Sequence, residues 1–323
     1  MPNLVMLENP MPGRLEALRR DLGPNWTIIA TSPQADRAQL TAALAAADVV
    51  IGFEIDRSLP PMPRLKLLHI TGAGYDQVDQ SLLPPGCTFC NVYEHEIGIA
   101  EYVLAGMLEW MVGLRAMDRQ IRRGDWLGSF YKPAFHGELS GKTLGIVGFG
   151  HIGREAARRA RAFDMRIGAI TRTPRSSELL DWAAPMAELD ARLPECDFLL
   201  LCCPLDATTR GLVDRRRLAL MKRSAVLVNV ARGEVADEDA LYEALRDQVF
   251  AGAILDVWYV YPSRDNREPL PSHRPFHELA NVIMSPHASG CTDKLLDRRW
   301  AVMTENLKRM AAGQELRNVI LQK

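Results

Sequence analysis

The stretch 143–153 reads Thr-Leu-Gly-Ile-Val-Gly148-Phe-Gly150-His151-Ile152-Gly153, and it decides the fold. An apolar run ends in three glycines at GxGxxG spacing, and the residues that follow put Ile152, Ala156, Ala160 and Phe163 on one face of a helix. Strand, glycines and helix in register read as the first βα turn of a Rossmann unit. In such a turn Gly148 makes the tight bend, Gly150 lets backbone approach a pyrophosphate, and Gly153 lets helix and strand pack closely. The helix start, with His151 and Ile152, offers amide donors to the phosphates. A glycine turn without a ligand would explain a lone GxGxxG, but not this flanking context.

Working outward, apolar runs at 165–170, 197–203, 225–230 and 250–256 predict strands, and 151–163 and 236–247 predict helices. Toward the N-terminus, strands are expected at 3–6, 26–30, 48–52 and 66–70, with helices near 12–21 and 36–46. Strand and helix alternate on both sides, so the predicted class is α/β: two Rossmann-like, doubly wound parallel-sheet domains with a cleft between them. A helix over about 99–122 leads into a loop carrying Gly124, Gly128, Pro133 and Gly137, which marks the boundary. A last helix over 293–312 is expected to return to the first domain. The predicted domains are therefore 1–100 plus 288–323, and 101–287, the second binding the dinucleotide.

A ribose-binding acid is expected about 20 residues beyond the glycines, at the end of the second strand. The sequence there is Thr171-Arg172-Thr173-Pro174-Arg175, and after Asp164 no carboxylate appears until Glu178. An acid would repel a 2′-phosphate, whereas hydroxyls and guanidinium groups accept one by charge-assisted hydrogen bonds. The segment favours NADP(H), with NAD(H) as the lesser cofactor. On the plainer reading, Arg172 and Arg175 are solvated loop charges.

Composition sets the limits. The chain has 323 residues, 47% hydrophobic and 24% charged, and a formal net charge of −1, so no long-range field recruits nucleic acid or an anionic membrane. The N-terminal stretch has no basic leader before its apolar residues, and no apolar run approaches the roughly 20 residues of a membrane span. A cytoplasmic location is expected. Of the six cysteines, Cys202 and Cys203 read as buried strand residues. Cys87-Thr-Phe-Cys90 lacks both a helix start and a second ligand pair, so no metal site is expected.

Three further segments place polar residues just past strands: Arg232 after Val228-Asn-Val230-Ala231, Asp256 in Leu255-Asp-Val257, and His287 in Ser285-Pro-His. In a doubly wound sheet, ligands bind beyond the carboxyl ends of strands. An Arg232–Asp256 ion pair and a capping histidine are the plainer readings.

Taken together, the sequence resembles the D-isomer specific 2-hydroxyacid dehydrogenases, in particular those of glyoxylate/hydroxypyruvate reductase type. The resemblance rests on 139–153 (LSGKTLGIVGFGHIG), 203–206 (CPLD), 220–241 (LMKRSAVLVNVARGEVADEDAL), 252–258 (GAILDVW), 281–290 (NVIMSPHASG) and the tail GQELRNVI. Thr71-Gly-Ala-Gly-Tyr-Asp76 matches the family's substrate loop, and Ile99-Ala-Glu-Tyr-Val103 its interdomain helix. The resemblance implies a flavodoxin-like substrate domain at 1–100 plus 288–323 and a homodimer. It also implies reduction of a small 2-oxo acid to the D-2-hydroxy acid. Arg232 would bind the substrate carboxylate and polarise the 2-oxo group, and His287 would act as general acid/base. Ala73 and Gly74 would hold the carboxylate through their amides, and His95 would line the substrate pocket. Asp256 would orient the nicotinamide. Cys203, Pro204, Val230 and Ala231 would line the cofactor site together with Gly148, Gly150, His151, Ile152, Gly153, Thr171, Arg172, Thr173, Arg175 and His287.

One position departs from the pattern. Most members carry a glutamate five residues after the Asp256 position, paired with the histidine, and here that residue is Tyr261. Tyr261 then becomes a substrate-pocket candidate, and Glu94, Glu96, Glu268 and Asp293 are the acids from which a substitute partner would come. The Asp256-Val-Trp segment is also similar to the formate dehydrogenase branch, but His95 stands where that branch has an asparagine. Oxidation of formate or another small acid, and a dinucleotide-sensing corepressor, are the alternative functions.

Overall fold

A computed structural model describes residues 1–7, 13–263 and 265–323, so the start of the helix expected near 12–21 lies outside it. In chain order the elements are β1 (Asn3–Met6), α1 (Arg14–Leu22), β2 (Thr27–Ala30), α2 (Arg37–Ala46), β3 (Val49–Gly52), β4 (Leu67–Ile70), β5 (Thr88–Cys90), α3 (Glu96–Val112) and α4 (Leu114–Ile121). There follow β6 (Thr143–Val147), α5 (His151–Arg161), β7 (Arg166–Thr171), β8 (Trp182–Pro185), α6 (Leu189–Arg192), β9 (Phe198–Leu201), α7 (Arg215–Leu218), β10 (Val226–Asn229), α8 (Glu238–Arg246), β11 (Gly252–Leu255), β12 (Val282–Met284), α9 (Leu295–Ala311) and β13 (Val319–Gln322). They form two compact units, 1–94 with 293–323, and 95–292. The second unit takes in all of α3 and the loop 288–292, both of which the sequence reading had assigned at least partly to the first.

In the first unit the sheet order is β13-β5-β4-β3-β1-β2, parallel except where β13 returns antiparallel to β5. Strands β3 and β4 are buried on both faces, β3 as an apolar run and β4 as one broken by His69. Val5, Val50 and Leu68 pack on Leu40 and Leu44 of α2, while Leu4, Ile51 and Leu67 face Leu18 of α1 and Met303 and Leu307 of α9. Asp36 caps α2 by accepting from the amides of Ala38 and Gln39.

This unit carries a buried titratable group. His69 of β4 is fully buried, its Nδ1 3.1 Å from the Ile70 carbonyl and its Nε2 3.0 Å from Asn306 Nδ2. Asn306 accepts from the Arg317 amide through Oδ1, so its NH2 group faces the ring and His69 is neutral with the proton on Nδ1. Burial pushes His69 down to about 4, against a smaller opposing effect of the Ile70 hydrogen bond. Below the ordinary histidine value near 6.5 the unfolded chain takes up a proton that the folded chain refuses. Stability is therefore expected to fall by about 3 kcal/mol as pH drops from about 6.5 to 4. Unfolding in denaturant at several pH values, compared with His69→Gln, measures this contribution, and an unchanged pH dependence in the variant would refute it.

In the second unit the seven strands run parallel in the order β12-β11-β10-β9-β6-β7-β8. Alternate residues serve two cores. Val147, Leu201, Leu227 and Leu255 pack with Leu189 of α6 and Leu241 and Leu245 of α8, whereas Ile146, Leu200, Val228 and Ile254 pack with Val103 and Met107 of α3 and Ala156 and Ala160 of α5. The helix expected over 99–122 is two helices, bent by 51° at left-handed Gly113. Among the described residues no single helix is long and apolar enough to cross a membrane. Cys202 and Cys203 lie just beyond β9 rather than within it.

Candidate active site

The strand order reverses between β6 and β9, the parallel neighbours from which the sheet extends both ways, so their carboxyl ends flank a switch point. Gly148 follows β6 there with φ 97°, and a Cβ on it would lie 2.8 Å from the Cys203 backbone. A Cβ on Gly153 would lie 2.4 Å from the Gly148 carbonyl. Both glycines are required by close backbone approach. At Gly150, by contrast, a Cβ would meet nothing within 4 Å, which leaves open space at the N-terminus of α5. Cys202 fastens the turn by donating its thiol to the Gly148 carbonyl at 2.9 Å.

At the end of β7, Thr171 Oγ1 is buried and has no hydrogen-bond partner among the described residues. An open helix start and an orphaned hydroxyl at the neighbouring strand end fit a nicotinamide dinucleotide at this edge. Arg172, Thr173 and Arg175 are exposed on the loop that follows. Arg172 faces Asp206, 3.5 Å away, an acid that the β9 loop brings in from 34 residues downstream. Hydrogen bonds from Thr208 to the Asp206 carboxylate, more than Arg172 itself, hold Asp206 below the usual carboxylate range.

The chain continues from β10 through Val230 and Ala231 to Arg232, whose Nη1 donates to the Ala231 carbonyl at 2.8 Å. Buried Asn229 braces this turn, accepting from the Ala231 amide and donating to the Arg232 carbonyl, both at 3.0 Å. Beyond β11, Asp256 is fully buried and its carboxylate accepts from the Ser285 hydroxyl, the Ala288 amide (2.9 Å) and the Ser289 amide (3.0 Å). Ser285 is held further by Tyr102 at 2.7 Å, and its carbonyl accepts from Trp258 Nε1 at 2.7 Å. This network straddles His287 and over-determines its left-handed backbone, φ 58°.

Nδ1 of His287 is met by the hydroxyl of Tyr261, at 2.9 Å. Partial removal from water lowers the His287 pKa; Asp256 opposes that shift and Arg232 adds to it. Arg232, Asp256, Tyr261 and His287 thus form one electrostatic neighbourhood. His95 stands at the start of α3, 3.7 Å from Glu96, whose other oxygen is 3.9 Å from His151 beside the glycine turn. Ala73 and Gly74 belong to the first unit, in the bend after β4, where Asn91 donates to the Ala73 carbonyl at 2.8 Å. The asparagine brace, the Asp206 contact and the serine–tyrosine network escaped the sequence reading.

The profile of the D-isomer specific 2-hydroxyacid dehydrogenase NAD-binding domain matches residues 104–289, more than half of the chain. This chain belongs to the D-isomer specific 2-hydroxyacid dehydrogenase family. It is 33% identical over 309 residues to glyoxylate/hydroxypyruvate reductase B of Pectobacterium atrosepticum, covering 94% of both chains. It is also 30% identical to the D-3-phosphoglycerate dehydrogenase of Methanocaldococcus jannaschii over 88% of its own length, but spans only 53% of that longer protein. Among solved structures, the NADPH-dependent glyoxylate/hydroxypyruvate reductase of Sinorhizobium meliloti, in complex with citrate, is similar at a TM-score of 0.77 and 26% identity, with 99% and 98% of the two chains covered. As a 2-hydroxyacid dehydrogenase, the chain is a nicotinamide-dependent oxidoreductase.

Proposed function

We propose that this dehydrogenase reduces a small 2-oxo acid of the glyoxylate or hydroxypyruvate kind to the D-2-hydroxy acid, with NADPH as the preferred reductant. The observation that carries the reading is the gathering of Arg232, Asp256, Tyr261 and His287 at the carboxyl edge of the sheet that holds the glycine turn. The nicotinamide supplies the hydride when bound. Arg232 binds the substrate carboxylate through its planar fork and polarises the 2-oxo group. His287, as imidazolium, releases its Nε2 proton to the oxygen on C2 as that oxygen gains charge. Asp256, fully buried with its carboxylate held by Ser285, Ala288 and Ser289, acts by keeping the His287 loop in place. Ala73, Gly74 and His95 belong to substrate binding in the same reading, and residues 101–287 to the cofactor.

The cofactor preference rests on Thr171 with its unsatisfied hydroxyl and on Arg172, at the strand end where a ribose-binding acid would otherwise stand. Replacing Arg172 by alanine is expected to weaken NADPH by roughly tenfold or more, corresponding to the about 1.5–3 kcal/mol of a hydrogen bond to a charged group, while leaving NADH nearly unchanged. Titration of both cofactors by nicotinamide fluorescence measures it. Equal losses for the two would remove the assignment.

A homodimer belongs to the same proposal. Trp126, Phe130, Tyr131 and Phe135 are exposed on the segment after α4, a helix that buries no residue of its own. Such a cluster suits burial against a second copy. Sedimentation at the mass of one chain, at micromolar concentration, would rule that out.

A further inference from the structure

Tyr261 follows β11 by six residues, and two groups meet at its hydroxyl. The Trp258 amide, which can only donate, lies 3.1 Å from Oη, and Nδ1 of His287 lies 2.9 Å from it. A phenol has one proton to donate and an oxygen that accepts, whereas a neutral imidazole has one donating and one accepting nitrogen. With Trp258 already donating to the oxygen, the hydroxyl proton is the one directed at Nδ1. The reverse arrangement would aim two N–H groups at a single oxygen and turn the hydroxyl proton away from both.

We propose that Tyr261 is a positioning residue that fixes neutral His287 as the tautomer with its proton on Nε2, its own hydroxyl donating to Nδ1. The proposal deepens the reading of His287 as proton donor and rests on it for its catalytic meaning. A carboxylate at this position would accept from Nδ1–H and favour imidazolium; the tyrosine favours the neutral ring instead. To become imidazolium, His287 must gain a proton on Nδ1, and Tyr261 must rotate its own proton away to accept it. In the reduction step the Nε2–H bond breaks and the proton joins the oxygen on C2, leaving Nδ1–H. Solvent exchange then restores the resting tautomer. The charged groups facing this pair are Asp256, which favours imidazolium, and Arg232, which opposes it, with Glu234 acting on Tyr261. Burial keeps the Tyr261 phenol above its ordinary pKa, so the hydroxyl retains the proton it donates.

The test is the nitrogen spectrum of full-length protein labelled with 15N-histidine, with the His287 signals assigned by their loss in His287→Gln. Above the titration, Nδ1 is expected in the range of an unprotonated nitrogen and Nε2 in that of a protonated one. In Tyr261→Phe both should move toward intermediate, averaged positions. Tyr261→Glu should protonate Nδ1 and raise the titration by about one to three pH units, carrying the falling limb of the reduction rate upward with it. A protonated Nδ1 in the wild-type protein, or signals unmoved in Tyr261→Phe, would overturn the proposal. If Tyr261→Phe does not fold, the wild-type spectrum and Tyr261→Glu decide. The spectrum needs neither cofactor nor substrate, so a protein that shows this tautomer yet reduces no 2-oxo acid would refute the proposed function and leave the tautomer assignment standing.

Discussion

Arg232→Lys is expected to lower kcat/KM for a 2-oxo acid by about 10²-fold or more, with NADPH affinity little changed. Removing one preorganised donor to a developing oxyanion costs on the order of 10²–10³ in rate, and lysine cannot reproduce a fork that grips a carboxylate while donating to a second oxygen. The local structure sharpens the expectation. Asn229 fixes the backbone on which the guanidinium stands, and Nη1 is tied to the Ala231 carbonyl. A shorter-reaching point charge gains nothing from that preorganisation. Steady-state kinetics with saturating NADPH measures the loss, and near-normal turnover in the lysine variant would exclude Arg232 as the carboxylate clamp.

His287→Gln is expected to remove about 10²–10⁴-fold of kcat, the range spanned by a positioned general acid. Cofactor binding should survive, because Asp256 holds the loop through Ser285 and the amides of Ala288 and Ser289, none of which involves the imidazole. The wild-type rate of reduction should fade as pH rises through a value below the usual histidine range, since partial removal from water and Arg232 both lower the His287 pKa against the pull of Asp256. The protonated form is the one that reduction needs. In the glutamine variant that limb should vanish. Turnover within a few-fold of wild type, or an unchanged limb, would show that the proton comes from elsewhere.

The fold was legible where local pattern and tertiary environment agree. Residues 143–161 carry their own strand, turn and helix, because β6 is buried on both faces and Gly153 is compelled by the Gly148 carbonyl. Strand β8 was missed since Trp182-Ala-Ala-Pro185 is a partly buried edge ending in proline, with neither alternation nor an apolar run. The break at Gly113 hid inside continuous helical spacing on either side. At the candidate site, Arg232, Asp256 and His287 could be placed because each lies within three residues of the end of an apolar strand. Their braces could not. Asp206 reaches Arg172 across 34 residues, and Ser285 joins Asp256 to Tyr102 across 183. No local spacing encodes such contacts. Tyr261 was visible as a missing glutamate and a substrate-pocket candidate, and it took the positions of the Trp258 amide and His287 Nδ1 to show what the hydroxyl meets.

Hydride transfer to a small 2-oxo acid is tested most directly in one mixture. The purified protein is combined with NADPH, and in parallel with NADH, against glyoxylate, hydroxypyruvate and larger 2-oxo acids, while the reduced-nicotinamide absorbance is followed and the product resolved on a chiral column. With the small acids NADPH is expected to be consumed faster than NADH, and hydroxypyruvate to give a D-configured product. Protein that binds NADPH but leaves it unoxidised with every acid in the panel would contradict the proposed function.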